Sequence, residues 1–166
     1  MIKLINIFML LVIITHKNAY AQESVKIFDL IEPKSKSEIW VNPGFYSEHF
    51  QKNQNLNGNN WGIGLEYRFS TVASVTIGNY KNSDSAHSNY AGLYYQPVAI
   101  GPFKLGVVGG VFNGYQSTNG GGWFPGLLPA LTIEEGMFGA NLFVIPTLGD
   151  RIHGAISLQV KLKLYE

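Results

Sequence analysis

Three histidines and one short polar segment hold the side chains of this sequence best suited to moving a proton. They are His49, His87 and His153, and the run Asn82-Ser83-Asp84-Ser85-Ala86-His87-Ser88. An imidazole with a pKa near ~6.5 takes a proton from a hydroxyl or a water. A nearby hydroxyl or amide holds the oxyanion that develops when a carbonyl is attacked. Base, hydroxyl, amide and carboxylate are therefore all present, although surface loops are commonly rich in the same residues. The sequence has no cysteine, which removes thiolate sites and disulfides. Because the three histidines lie on separate segments without ligand spacing, no metal and no cofactor is expected.

The segments that carry these residues alternate apolar and polar positions. In the last of them Ile156, Leu158, Val160, Leu162 and Leu164 share one face, opposite Ser157, Gln159, Lys161 and Lys163. A side-chain period of two is that of a strand, and a wholly aliphatic outer face is that of a strand against lipid. Eight such segments are predicted: A over about 38–50, B 61–70, C 72–81, D 89–98, E 103–112, F 123–133, G 137–146 and H 153–165. Their connections are alternately tight (70–71, 100–102, 134–136) and long (51–60, 82–88, 113–122, 147–152). Membrane barrels place short turns at the periplasmic rim and long loops outside. The expected fold is therefore all-β: an eight-stranded antiparallel up-and-down transmembrane β-barrel.

With each strand given a direction, the three histidines and the polar segment fall at the outer rim. Glu66, Arg68, Lys161 and Lys163 fall low in the lumen, where buried charges persist only when paired. They are expected to form an ion network at the periplasmic floor. The upper lumen lacks such a cluster and can hold a pocket.

Met1-Ile2-Lys3, an apolar run to Thr15 and Ala19-Tyr20-Ala21 read as a signal peptide over 1–21. Residues 22–37 form a lead-in, with Val25, Phe28, Leu30 and Ile31 on one face of a short helix before Pro33, or else no order at all. The barrel domain covers 38–166. A net charge of +1 argues against nucleic acid as a partner. The expected address is the bacterial outer membrane, and the expected state a monomer.

Pro43 lies inside strand A, Pro129 inside F and Pro146 near the top of G. Proline cannot donate to a ladder and is usually kept out of strand interiors. In lipid no water satisfies the freed carbonyl, so these three positions point either to a lateral gate for a lipid tail or to local bulges.

These features together resemble the PagP family, the outer-membrane lipid A palmitoyltransferases, over about Ile39 to Tyr165. The likeness rests on His49 followed by Trp61-Gly62-x-Gly64, on Tyr80-Lys81-Asn82-Ser83 and on Phe103-Lys104-Leu105-Gly106. It continues in Leu127-Leu128-Pro129 and Val144-Ile145-Pro146, the two prolines seventeen residues apart. The resemblance implies an interior acyl pocket and transfer of a fatty acyl chain from a phospholipid to lipid A. The catalytic histidine falls on His49 and the serine, as carbonyl or oxyanion donor, on Ser83. The family's aspartate falls on Asn82, which cannot stabilise an imidazolium by charge; Asp84 is the substitute, and Asn82→Asp is expected to raise activity. Aligned without gaps from Lys81-Asn82-Ser83, the pocket-floor position falls on Tyr94, on the same face as Tyr90, Gly92 and Gln96. A non-catalytic structural or lipid-binding barrel of the same fold is the alternative. A soluble periplasmic carrier would need polar outer faces.

Overall fold

The computed structural model describes residues 27–149 and 151–166. The expected leader and the first residues of the lead-in lie outside them. Nine strands follow one another: β1 Asp29–Leu30, β2 Ser35–His49, β3 Asn59–Ser70, β4 Ala73–Lys81, β5 His87–Ile100, β6 Phe103–Phe112, β7 Phe124–Glu135, β8 Phe138–Ile145 and β9 Ala155–Tyr165. Strands β2 to β9 pair antiparallel with their sequence neighbours, and β9 pairs with β2, so eight strands close an up-and-down barrel. The expected strands all form, with ends displaced by up to three residues. Tight turns at residues 71–72, 101–102 and 136–137 occupy one rim with the start of β2 and the end of β9, and four longer loops occupy the other.

The lead-in is neither helical nor unstructured where it is described. Strand β5 runs past the start of β4, and β1 covers this uncovered edge by pairing Asp29 with Ala99 and Leu30 with Val98. Thr71 holds the same strap by accepting from the Lys34 N–H at 3.0 Å and donating to the Glu32 carbonyl at 2.7 Å. An unpaired edge leaves free N–H and C=O groups, which makes an extended cover better than a helix here.

The outer surface is apolar from rim to rim. On β3 the exposed side chains are Trp61, Ile63, Leu65, Tyr67 and Phe69, and on β9 they are Ile156, Leu158, Val160 and Leu164. The buried polar residues all point inward, among them Glu66, Arg68, Ser74, Thr132, Asn141 and Gln159. The lower lumen is filled by charge and amide. Lys161 Nζ donates to Glu66 at 2.8 Å and lies 2.7 Å from Glu134, while Arg68 reaches Glu66 at 3.0 Å and Glu134 at 2.6 Å. Lys163 lies 3.5 Å from Glu38. Glu38, Lys104 and Glu134 extend the expected network, and Trp40 closes it beneath Lys161, whose ammonium lies 4.7 Å from the ring centroid. Above it runs an amide ladder in which Gln96 donates to Thr132, Thr132 to Asn141, and Asn141 to Gln159, at 2.7–2.8 Å.

Strand β2 breaks its own alternation. Glu38, Trp40, Asn42 and Gly44 point inward, and then Ser47 and His49 do so too, on the opposite parity. The reset occurs at Pro43-Gly44, where the register slips against both β3 and β9. One extra residue in a strand moves everything beyond it to the other face. Gly44 has φ +98°, and a Cβ there would lie 2.2 Å from the Asn60 carbonyl oxygen. Only glycine fits. Gly44→Ala is expected to cost about 1–3 kcal/mol from backbone strain alone, checked by urea titration of the folded barrel in micelles.

Candidate functional site

His49 and Ser83 meet. His49 ends β2 and Ser83 is the second residue of the loop after β4, yet His49 Nε2 and Ser83 Oγ are 2.8 Å apart. His49 reaches this point because the bulge turns it inward. Ser83 is held there by its own backbone, since its carbonyl accepts from the Asn57 N–H at 2.8 Å and the Asn57 amide donates to the Asn82 carbonyl at 3.1 Å. His49 stands above the outward-facing Tyr46 and beside the charged Glu48, past the end of the apolar surface on β2. Burial there holds its imidazole below the ordinary histidine range, and the charge of His153 pushes the same way. Near neutral pH the ring is therefore an unprotonated base.

Asn82 has a part different from the expected one. It does not orient His49. Its Oδ1 accepts the backbone N–H groups of Asp84 and Ala86 at 3.0 and 2.9 Å, and its Nδ2 donates to Ser88 Oγ and the Gly114 carbonyl, both at 2.9 Å. All four hydrogen-bonding positions of a fully buried amide are thereby used. The residue shapes the turn that presents Ser83 and ties it to the loop after β6. Gly114 allows that approach, since a Cβ there would meet the His87 carbonyl oxygen at 2.2 Å. Asp84 stands at the mouth with Arg151 and His153 and acts on His49 through its charge, more weakly than Glu48 does. His87 begins β5, exposed and paired with Lys81. No carboxylate hydrogen-bonds His49 among the described residues, and no three of their His, Asp and Glu side chains are grouped to hold a metal ion.

Below the pair lies the space. An inner cavity of about 80 Å³ and an outer one of about 100 Å³ share Tyr80, Ser83, Phe112, Tyr115, Leu128 and Ile145 on their walls, forming one channel from the mouth inward. Gly92 and Tyr94 line the inner part as expected, and Tyr94 packs at its base with Val108, Ala130 and Phe143. Beneath them begins the amide ladder, with Asn141 Nδ2 3.4 Å from the Tyr94 hydroxyl. The channel therefore has a floor.

It also has a side. Strands β7 and β8 pair only from Ala130–Phe143 downward, leaving β7 from Phe124 to Pro129 without a β8 partner. Pro129 sits where pairing stops, and Pro146 directly follows the end of β8. Leu128 and Ile145, on either side of this open seam, both line the channel. Pro43 lies instead in the β2 bulge, where β9 pairing is interrupted between Val41–Leu162 and Tyr46–Leu158. Two of the three prolines thus flank the unpaired stretch between β7 and β8, and the third lies where a strand is reoriented.

Tyr115 and Asn57 were not evident from the sequence. Both sit in loops whose Asn, Gly and Ser content signals turns but no contacts. Tyr115 Oη lies 3.0 Å from Tyr80 Oη, and burial pushes its phenol pKa up so that it keeps its proton. Compared with known proteins, the chain matches no family model and no curated sequence.

The role found for Asn82 reverses the expectation for Asn82→Asp. An aspartate keeps the two accepted bonds but cannot donate to Ser88 or to the Gly114 carbonyl. Each buried group left unpaired costs about 1–3 kcal/mol. The variant is expected to melt earlier in micelles and to lose whatever activity the wild type shows, read side by side with it.

Proposed function

We propose that this protein is an outer-membrane acyltransferase that moves a fatty acyl chain from a phospholipid to lipid A. The observation that carries the reading is the His49–Ser83 pair, 2.8 Å apart at the head of a floored channel that runs beside the unpaired stretch between β7 and β8. A tail entering through that seam would lie along the channel, leaving its ester carbonyl beside the pair. His49 then takes the proton of the acceptor hydroxyl as that oxygen attacks the carbonyl carbon. Ser83 turns its O–H to the carbonyl oxygen as charge develops there. The intermediate collapses, the bond to the donor glycerol oxygen breaks, and His49 returns the proton to that leaving oxygen. Acyl chain and proton both balance, and no cofactor is called for.

The membrane address rests on the outer surface. Exposed Tyr46, Trp61 and Trp123 lie toward the loop rim and Tyr67, Phe69, Phe138 and Tyr165 toward the turn rim, with aliphatic side chains between. Trp61 and Phe69 stand eight residues apart on one strand, roughly 27 Å along it, which a tilt of ~40° reduces to about 20 Å of height, within the ~25 Å apolar band of such barrels. The resemblance to the PagP family supports the substrates. The second reading, a barrel of the same fold without catalysis, is favoured by one observation: no carboxylate hydrogen-bonds His49 among the described residues.

One experiment separates them. The chain is expressed in an outer membrane lacking such an activity, and the extracted lipid A is weighed by mass spectrometry. A mass increase of one acyl chain is expected, lost in His49→Ala while the barrel still folds; removing a general base typically costs ~10²–10⁴ in rate. Since burial depresses the His49 pKa, the base stays unprotonated to lower pH than a free histidine would. The acid limb of the activity profile is expected at lower pH than a free histidine would give. Unchanged lipid A from the wild type would leave the non-catalytic barrel.

The floor predicts the length of the chain. Tyr94 fills the base of the channel, and each buried CH₂ that cannot be seated forfeits ~0.8 kcal/mol. The transferred chain is expected to be shorter than sixteen carbons, and Tyr94→Gly to lengthen it. A sixteen-carbon product that is the same in both proteins would refute this.

A further inference from the structure

One row of the barrel crosses four strands in register. Asn42 on β2 faces Gly64 on β3, Gly64 faces Gly78 on β4, and Gly78 faces Tyr90 on β5. All four belong to the inward ranks of their strands, so the row has a side chain at each end and a bare middle. Tyr90 occupies that middle. A Cβ on Gly64 would lie 2.0 Å from the Tyr90 hydroxyl oxygen, and one on Gly78 2.7 Å from it, both closer than the 3.0 Å that real Cβ atoms keep. The ring therefore runs along the wall, over β4 and onto β3, and does not cross the lumen.

The inner cavity depends on that placement. Tyr90 is part of its wall, and Gly92, the next inward position down β5, lines it above Tyr94. Phe45 and Tyr80 border the same space, with ring centroids 5.8 and 6.0 Å from that of Tyr90. A Tyr90 ring lifted off the two glycines would move into the cavity, because the wall behind it is backbone. We propose that Gly64 and Gly78 are specificity-determining residues of the channel. They form a notch that keeps the Tyr90 ring flat against the barrel wall and so sets the bore of a passage for an alkyl chain. That the chain is an acyl group in transit rests on the acyl-transfer reading; the notch and the bore do not.

Gly64→Ala tests this, because the three atoms nearest the new methyl are side-chain ends: the Tyr90 hydroxyl and the two polar atoms of the Asn42 amide, at 2.6 and 2.9 Å. The companion protein is the double variant Gly64→Ala with Tyr90→Phe. It removes the atom in closest conflict and leaves the Asn42 contacts as they are, so rescue isolates the ring. The probe is dodecylphosphocholine, which also forms the micelle. The readout is the nuclear Overhauser contact between its alkyl chain and the methyl groups of Val108. Val108 is buried and lines the inner cavity, so chains on the outer surface do not supply that contact. The wild type is expected to show it, Gly64→Ala to lose it, and the double variant to regain it. Acyl transfer to lipid A should be lost and regained in the same order.

A contact that persists in folded Gly64→Ala, or that stays absent from the folded double variant, overturns the notch. Should Gly64→Ala fail to fold, recovery of the barrel by Tyr90→Phe upholds the conflict with the ring, and a barrel lost in both proteins overturns it. A wild type without the Val108 contact overturns the channel as a seat for an alkyl chain, and the bore with it. A wild type that transfers no acyl chain, while the contact is lost and regained as expected, defeats the acyl-transfer reading and upholds the bore.

Discussion

The placement of His49 depends on a one-residue slip in β2. Were that strand to alternate without interruption from Glu38, its odd-numbered residues beyond Gly44 would face outward with Ile39 and Val41. His49 and Ser47 would then stand on the apolar surface, and the pair with Ser83 could not form. The bulge at Pro43-Gly44 prevents this. Asn42 braces it by accepting the Gly44 N–H at 3.2 Å, and Phe45 turns into the channel against Tyr80 and Tyr90. A bulge of this kind re-aims side chains locally while the ladder on either side continues. The lower half of β2 can therefore serve the ion network and the upper half the site, from the same strand.

The lumen divides by the same logic. Among Glu38, Glu66, Arg68, Glu134 and Lys161, both signs are present within short contact, so charges removed from water are offset by their neighbours. Such a cluster is costly to open, since removing one partner strands another. It closes the turn rim and supports the amide ladder on which Tyr94 and Phe143 rest. The space above is bounded chiefly by rings and aliphatic groups, with hydroxyls gathered at the neck. A molecule that is apolar at one end and polar at the other matches that gradient better than a uniformly polar solute does.

Much of the fold was legible in the sequence because period two, tight turns and polar loops are local signals. The inward ranks of β3, β5 and β9 and the low network around Glu66 followed from parity and strand direction, whereas the floor position of Tyr94 was only what the family resemblance implied. What could not be read depended on contacts between distant segments. The β2 slip needs a partner strand to define it, so Pro43 suggested a gate or a bend without saying which. Glu134 joined the network from a turn boundary where parity is ambiguous. Asn82 looked like a lost catalytic charge, because its four bonding partners lie up to 32 residues away. The strap over β5 was missed for a related reason: its apolar spacing suits a short helix, but an uncovered sheet edge was available to pair with it.

The open seam between β7 and β8 has to be reconciled with an apolar surround. Backbone groups without partners are expensive where no water can reach them. Two features limit that expense here. The unpaired stretch of β7 lies in its upper half, next to the loops, while pairing is complete from Ala130 down to Glu135. A proline stands where pairing ends on β7, another directly follows β8, and neither has an N–H to leave unsatisfied. The same residues that would weaken a sealed barrel therefore make an opening tolerable. Leu128 and Ile145 border it and line the channel, so the unpaired stretch lies at the height of the space beneath His49 and Ser83 and not of the ion network. The base above the channel and the seam beside it are thus consequences of two separate interruptions in an otherwise regular barrel, and the floor is the work of its regular lower half.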